Sequence, residues 1–174
     1  MYDRFAGGRE RAETVILRAF DHTGNSASAE VVRVAELEGR VAGAMAAYPV
    51  AESTARARAF LRVGLRRIRP WRWPGALRLY LQGGRAAPAP PDATLYIDAL
   101  AVDDGSRRRG TARALLAQAE REAHEQGLRA VSLDTALHNK PARALYLGAG
   151  YEEVAYRPPS RGLPGFVALV KPLS

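Results

Sequence analysis

The chain has 174 residues, no cysteine, 3 histidines, and 26 Lys plus Arg against 18 Asp plus Glu, for a formal net charge of +8. At roughly 100 to 200 residues per domain, this length predicts one domain spanning residues 1–174. The lack of cysteine excludes disulfides, thiolate zinc sites and iron–sulfur clusters, and the histidines are too scattered for a metal site, so no metal is expected. No apolar run reaches the ~18 residues of a bilayer span, and the start of the sequence does not resemble a signal peptide. We therefore expect a cytoplasmic protein with no membrane partner.

The N-terminal part of the sequence predicts a helix followed by a hairpin. Apolar residues recur at helical spacing over residues 9–20. Two strand-like runs, 30–37 and 40–48, are joined tightly at Glu38 and Gly39, which is typical of a β-hairpin.

Residues 51–93 form a basic segment with helical patterning. An apolar helical stripe ends at Pro70, and a second short helix is predicted after it. The segment holds nine arginines against Glu52 and Asp92, a net charge of +7. Because the charge excess of the chain is concentrated here, we do not take the overall charge to indicate a nucleic-acid partner.

Strands alternate with helices from residue 93 onward. Thr94–Val102 is a nearly continuous apolar run, which predicts a strand buried on both faces in the middle of a sheet. Its only acid is Asp98, and strict alternation places Asp98 on one face with Tyr96, Leu100 and Val102. The later predicted elements are a helix at 107–126 ending at Gly127, a strand at 130–134, a helix at 141–147, and strands at 151–157 and 166–171. This order indicates an α/β or α+β sandwich.

A basic loop, Arg107 to Ala112, connects the buried strand to the next helix. A loop that enters a helix N-terminus presents unpaired N–H groups and the positive end of the helix dipole to an anion. Gly110 permits close approach of the backbone, and the three arginines add forked donors that suit phosphate. Neither GxxxxGK[ST] nor GxGxxG is present, which argues against a P-loop or a dinucleotide site. The loop therefore predicts a site for a diphosphate-bearing cofactor.

Two segments of the chain match a known family in order. Arg107 to Ala112 reads Arg-x-x-Gly-x-Ala after the strand ALAV. Residues 138–154, HNKPARALYLGAGYEEV, contain an Asn that opens a helix, a Tyr within the helix, and Gly plus an aromatic before the next strand. Both segments resemble the GNAT N-acetyltransferase superfamily, whose signature is Gln/Arg-x-x-Gly-x-Gly/Ala after its fourth strand. The second segment matches at Asn139, Ala142, Leu145, Tyr146, Gly150 and Tyr151.

The resemblance implies both a fold and a cosubstrate. The fold is a mixed, mostly antiparallel sheet that is flanked by helices and splits near strands 4 and 5, with residues 51–93 as a helical insertion between strands 3 and 4. The cosubstrate is acetyl-CoA, with its pyrophosphate on the loop and its pantetheine on the edge of the fourth strand. The implied cofactor-binding residues are Leu100, Ala101, Val102, Arg107, Arg108, Arg109, Gly110, Thr111, Ala112, Asn139 and Tyr146.

The resemblance also implies transfer of an acetyl group to a primary amine of a small molecule or peptide, by direct attack in a ternary complex. The chain would act as a monomer or homodimer. A non-catalytic module on the same fold, which binds acyl-CoA, an acidic partner or RNA, is the alternative. The acceptor amine and the acyl-chain preference are not predicted.

Three side chains have a chemical and a structural interpretation. Tyr146 occupies the family position of a general acid for the departing thiolate, or it packs on the core side of its helix. Asp98 lies on the face where a general base would act, or it pairs with a backbone N–H or an arginine. Asn139 binds the cofactor, caps the helix that contains Pro141, or does both.

The sequence departs from the family in two places. Family members usually begin with a strand before the first helix, whereas only about eight weakly patterned residues precede it here. The basic segment at 51–93 is also longer than the usual connection between the third and fourth strands.

Overall fold

The computed structural model describes residues 8–66, 69–83, 87–160 and 164–173, apart from the side chains at positions 79, 80, 82 and 83. A strand before the first helix would lie largely outside these residues. The helices are α1 (Arg9–Phe20), α2 (Val50–Leu65), α3 (Trp73–Gly83), α4 (Thr111–Glu125) and α5 (Lys140–Leu147). The strands are β1 (Val32–Leu37), β2 (Arg40–Pro49), β3 (Thr94–Val102), β4 (Ala130–Ala136), β5 (Glu152–Arg157) and β6 (Phe166–Pro172).

The chain divides into two compact units. The helical unit comprises Met1–Val31 and Glu52–Arg85, and the sheet unit comprises Val32–Ala51 and Ala86–Ser174. The single domain expected over residues 1–174 stays a prediction.

The sheet unit contains one six-stranded sheet in the order β1-β2-β3-β4-β6-β5. β3 and β4 are parallel, and every other neighbouring pair is antiparallel. The predicted mixed, mostly antiparallel sheet is therefore confirmed. Between β1 and β2, both Glu38 and Gly39 have positive φ, as a tight two-residue hairpin turn requires.

β3 and β4 are paired over only part of their length. Their parallel register runs from Thr94↔Ala130 to Ile97↔Leu133, although β3 continues to Val102 and β4 continues to Ala136. The predicted split of the sheet is thus confirmed, and it lies between β3 and β4, which the sequence predicts as the fourth and fifth strands.

The main hydrophobic core joins the sheet to α4 and α5. Leu115, Leu116, Ala119 and Ala123 form the buried face of α4, which packs against β1, β2, β3 and β4. The sheet contributes Met45, Leu95, Ile97, Val131, Leu133 and Leu169, among others, to this core. Burial of these apolar side chains is the main favourable contribution to the stability of the unit.

The expected burial of β3 is wrong for its second half. Thr94, Leu95 and Ile97 are buried, but Asp98, Ala99 and Ala101 are exposed. The switch from buried to exposed side chains follows Ile97, the last residue of β3 that pairs with β4. Beyond Ile97, β4 no longer covers this edge of β3.

The helix that was predicted from residue 107 begins instead at Thr111. Arg108 and Gly110 have φ values of +61° and +85°, which an α-helix of L-residues does not include. Residues 107–110 therefore form a turn that follows a short 3₁₀ segment, Asp104–Ser106.

The basic segment forms two helices, as predicted. Phe60 of α2 packs with Val15 and Ala19 of α1, and Ala76 of α3 packs with Ala12. These contacts give the helical unit small apolar clusters of its own.

Gly43 of β2 fixes how closely β2 approaches β3. A Cβ at this position would lie 2.8 Å from the Ala101 carbonyl oxygen and 3.1 Å from Thr111 Cγ2. We expect Gly43→Ala to push the strands apart and to lower the free energy of unfolding by about 1–3 kcal/mol in urea denaturation. Gly75→Ala in α3 is the matched control, because a Cβ there meets nothing within 4 Å and helices favour Ala over Gly. Equal stability of Gly43→Ala and the wild type would contradict this close approach.

Candidate active site

Hydrogen bonds to the hairpin hold the start of the loop between β3 and α4. The N–H of Asp103 donates to the carbonyl of Ala42 at 2.9 Å, and Asp103 Oδ2 accepts from the Gly105 N–H at 3.1 Å. Further along, Arg109 Nη2 donates to Glu38 Oε1 at the hairpin turn, at 2.5 Å. The loop is thereby tied to β2 and to the turn before it.

α4 begins with open backbone donors. Gly110 precedes the helix without a side-chain cap, and the first helical bond runs from the Ala114 N–H to the Gly110 carbonyl at 3.0 Å. The N–H groups of residues 111–113 consequently have no intrahelical acceptor, and the positive end of the helix dipole lies with them. A Cβ at Gly110 would meet nothing within 4 Å, so these donors can be approached. This end of α4 fits a pyrophosphate.

The three arginines of the loop are exposed, and two of them form ion pairs within the protein. Arg107 pairs with Asp104, and Arg109 pairs with Glu38, both at the surface. Such exposed pairs contribute little free energy, so a phosphate can replace the carboxylates. Thr111 and Ala112 are more enclosed than the arginines. We expect these two residues to bind a phosphate through their main-chain N–H groups rather than through their side chains.

The second half of β3 has one open backbone edge. On one side β2 pairs with it from Gly43↔Val102 to Met45↔Leu100. On the other side no pairing with β4 continues beyond Ile97↔Leu133. Residues 98–102 therefore have main-chain N–H and C=O groups facing the split, and an extended ligand with amides could pair with them.

A β-bulge sets the direction of Asp98. Across the register shift the pairs are Ala46↔Ala99 and Ala47↔Ile97, so Asp98 has no residue opposite it on β2. Leu100, which lies opposite Met45, packs against the main core instead of sharing a face with Tyr96. The expected alternation through Leu100 and Val102 is wrong, because the extra residue reverses the faces beyond it. Leu100 can thus contribute its backbone to a ligand while its side chain stays in the core.

Three tyrosines and two aspartates from four elements form a cluster at the split. Its members are Tyr48, Tyr96, Asp98, Asp134 and Tyr146. Tyr96 Oη donates to Asp134 Oδ2 at 2.5 Å, and the rings of Tyr48 and Tyr96 meet edge to face with centroids 6.0 Å apart. Tyr48 hydrogen-bonds Asp98, and the charge of Asp134 acts on both Asp98 and Tyr146. We call this set the carboxylate–tyrosine cluster.

Asp98 and Asp134 directly follow the last parallel pair of β3 and β4, so their carboxylates share one environment. Loss of water around its carboxyl group, together with the charge of Asp134, raises the pKa of Asp98 to about 6, against the opposing hydrogen bond from Tyr48. The residue keeps an exposed edge, so water still reaches the cluster. A carboxyl group of this kind is largely ionised at neutral pH and readily accepts a proton, as a general base must.

The environment of the cluster also raises the pKa values of Asp134, Tyr96 and Tyr146, so the two phenols stay protonated. Burial raises the pKa of Asp134, and the hydrogen bond from Tyr96 opposes that rise. Burial, followed by the charge of Asp134, raises the pKa of Tyr96 and of Tyr146. Tyr96 donates its proton to Asp134, whereas the hydroxyl of Tyr146 makes no hydrogen bond within the part of the chain that the structure describes. The ring of Tyr146 packs in the main core, as its structural interpretation predicts, and its role as a general acid stays a prediction.

Asn139 caps α5, as one of its two interpretations predicts. Its Oδ1 accepts from the Ala142 N–H at 3.4 Å, and its Nδ2 donates to Thr135 Oγ1 at 3.2 Å. Its binding to a cofactor stays a prediction.

Comparison with known proteins identifies the family. The family model described as the acetyltransferase (GNAT) family matches residues 3–151, which is most of the chain. This chain belongs to the GNAT family. A search of curated protein sequences gives no match.

Solved structures share the GNAT fold of this chain. A crystal structure of an acetyltransferase is 19% identical with a TM-score of 0.68, and the match covers 96% of this chain and 82% of that one. An N-acetyltransferase from Staphylococcus aureus Mu50 is 18% identical with a TM-score of 0.70, and the match covers 93% of this chain and 81% of the other. At this level of identity the similarity shows the fold alone.

Sequence reasoning about this GNAT chain missed Tyr48 and Asp134. The signal for Asp134 was present, because it is the one charged residue in the run Ala130–Ala136 and follows the same parallel pair as Asp98. Tyr48 carried no comparable signal, since its role depends on which residue of β3 it faces across the bulge.

The described part of this GNAT chain contains neither a metal-binding cluster nor a membrane-spanning helix. Within residues 8–66, 69–83, 87–160 and 164–173, no group of three or more His, Asp or Glu is placed to hold a metal ion. Over the same residues no helix has the length and hydropathy to cross a bilayer. The absence of a metal and the cytoplasmic location stay predictions.

The raised pKa of Asp98 predicts how stability changes with pH. A carboxyl group whose pKa is higher in the folded than in the unfolded state stabilises the fold while protonated, and this contribution disappears as pH rises from about 4 through about 6. We expect Asp98→Asn to gain stability relative to the wild type over that interval, as measured by urea unfolding at a series of pH values. The control is Asp92→Asn, an exposed aspartate outside the cluster. A pH-independent difference between Asp98→Asn and the wild type would disprove the raised pKa.

Proposed function

We propose that this GNAT chain transfers the acetyl group of acetyl-CoA to a primary amine of a small molecule or peptide, by direct attack in a ternary complex. The observation that carries the proposal is the split between β3 and β4. At that split the sheet unit combines an open strand edge with two carboxylates and three tyrosines.

The cosubstrate would be held mainly by main-chain groups. The N–H groups of residues 108–112 would bind the pyrophosphate, with the guanidinium groups of Arg107–Arg109 adding charge. The open edge at Leu100–Val102 would pair with the amides of pantetheine, and its N–H groups would stabilise the developing oxyanion. When bound, acetyl-CoA supplies an activated acetyl group.

Asp98 and Tyr146 would move the two protons of the reaction. Asp98 accepts a proton from the ammonium form of the acceptor, directly or through water, and leaves the nitrogen lone pair free to attack. Tyr146 Oη donates its proton to the departing thiolate sulfur, which a protonated phenol can do without prior ionisation. When Asp134 is ionised, its negative charge lies beside both groups, which favours binding of a cationic acceptor and raises the pKa of Tyr146.

The proposal is tested on the purified chain by following release of the CoA thiol across a panel of amines that includes peptide N-termini, lysine side chains and small amines. Thiol release that depends on the amine supports acetyl transfer. Binding of acetyl-CoA without thiol release to any amine would instead favour the alternative of a non-catalytic acyl-CoA-binding module.

Asp98→Asn is expected to lower kcat by about 10²–10⁴ with any accepted amine, because it removes the general base. In the wild type kcat should rise with pH through an apparent pKa near 6, and this ascending limb should be lost in the variant. Steady-state kinetics from pH 5 to 8 measure both effects.

Two variants separate a proton-transfer role of Asp98 from a general loss of structure. Tyr146→Phe should lower kcat while keeping the ascending limb, because it removes the acid and leaves the base. Asp92→Asn makes the same chemical change as Asp98→Asn at an exposed position outside the cluster, and it should retain wild-type kcat. An ascending limb that survives in Asp98→Asn would exclude Asp98 as the base.

Gly110→Asp is expected to weaken acetyl-CoA binding by at least about tenfold, because it puts a negative charge beside the proposed pyrophosphate site. Isothermal titration calorimetry measures the Kd. Gly127→Asp is the matched control, since Gly127 also has positive φ and open space around it but follows the opposite end of α4. If both variants bind acetyl-CoA equally well, the pyrophosphate is held elsewhere.

A further inference from the structure

The helical unit contains a surface cavity that the proposed acetyl transfer does not use. Its volume is about 260 Å³, and it is lined by Arg18, His22, Val63 and Arg66. Arg18 lies in the last turn of α1 and His22 just beyond it, while Val63 lies in the last turn of α2 and Arg66 just beyond that helix. Two arginines and a histidine thus line one small space. We propose that this cavity binds the phosphate group of a small phosphate monoester.

The arginines of the cavity form no ion pair with a described carboxylate of the helical unit. Among the described residues neither Arg18 nor Arg66 forms an ion pair, and no Asp or Glu lines the cavity. Three carboxylates of the unit are engaged with other arginines. These pairs are Glu13 with Arg9, and Glu30 and Glu52 with Arg56.

Basic residues at helix C-termini often serve to cap the last carbonyl groups, but here other donors do so. The Ala19 carbonyl accepts from the His22 N–H at 3.2 Å and from Asn25 Nδ2 at 2.8 Å. The Leu65 carbonyl accepts from Trp73 Nε1 at 3.1 Å. Neutral groups thus bind one C-terminal carbonyl of each helix, and among the described residues no hydrogen bond joins the Arg18 or Arg66 guanidinium to a helix carbonyl. These guanidinium groups can therefore bind an anion.

The lining indicates a phosphate rather than a carboxylate. One guanidinium suffices for the two oxygens of a carboxylate, whereas two guanidiniums and an imidazole match the greater charge and the additional acceptor oxygens of a phosphate monoester. Among the described residues Val63 is the one apolar member of the lining, so we expect the rest of the ligand to be small and largely polar. A cavity of this volume holds one such group, while nucleic acid would require a row of phosphate contacts.

The proposal does not depend on acetyl transfer, because all four lining residues belong to the helical unit and the acetyl-CoA site is proposed in the sheet unit. Either can therefore fail without the other. A phosphate could also bind at the loop before α4, so the experiment must separate the two places.

The test is a titration of the full ¹⁵N-labelled chain with inorganic phosphate and with glycerol 3-phosphate, followed by NMR. Saturable shifts should occur at residues 18, 22, 63 and 66 with both probes. Shifts at residues 107–112 report on the loop, and these should disappear when acetyl-CoA is added while those of the cavity remain. Phosphate shifts confined to the loop would overturn the proposal.

Arg18→Gln combined with Arg66→Gln should raise the Kd for both probes by at least about tenfold, because two charge-assisted donors are lost. Arg58→Gln combined with Arg78→Gln is the matched control, since it removes the same charge from exposed positions of the same unit outside the cavity. Circular dichroism and thermal unfolding verify that both double variants fold. If the double cavity variant does not fold, the single variants Arg18→Gln and Arg66→Gln are measured instead, and each should raise the Kd by a smaller factor. Equal weakening in both double variants would show a general charge effect and overturn the site. Tighter, steeply salt-dependent binding of a DNA or RNA oligonucleotide at the same residues would assign the cavity to nucleic acid instead.

Discussion

Four residue pairs hold β3 beside β4, and the pairing then stops while both strands continue. A buried strand edge without a partner is costly, so this region is stable only if water or a ligand satisfies its main-chain groups. The sheet meets that constraint by keeping the second half of β3 exposed and by covering its other edge with β2. The bulge at Asp98 coincides with the same point, which allows β3 to bend away and to point a carboxylate into the split. The open edge and the carboxylate–tyrosine cluster both depend on this single interruption.

Most of the secondary structure could be predicted from the sequence, because the patterns are local. The helical spacing over 9–20 and the tight turn at Glu38 and Gly39 are determined by residues next to one another in the chain. The start of α4 could not be placed by periodicity, since the left-handed backbone at Arg108 is imposed by the loop geometry and not by residue type. Local patterns therefore predicted the helices and strands, whereas the start of α4, next to the candidate site, was predicted wrongly.

The candidate site was predictable only in part for the same reason. Asp98 and Tyr146 carried signals of their own, one as the single acid in an apolar strand and one as part of a family motif. Tyr48 and Asp134 acquire their place only from long-range strand pairing. The bulge is equally non-local, because it is defined by a residue of β3 that lacks a counterpart on β2. A single sequence contains no direct record of such a register shift.

The open first turn of α4 connects the site to the stability of the unit. α4 packs against β1, β2, β3 and β4, yet its first three N–H groups have no helical acceptor and no side-chain cap. An anion that binds there completes hydrogen bonds that the chain leaves unmade and binds only the folded helix. Mass action then shifts the unfolding equilibrium toward the folded state as the anion concentration rises. The melting temperature of the protein should therefore report occupancy of this loop, and the amount of intact protein in a cell would follow the supply of the ligand.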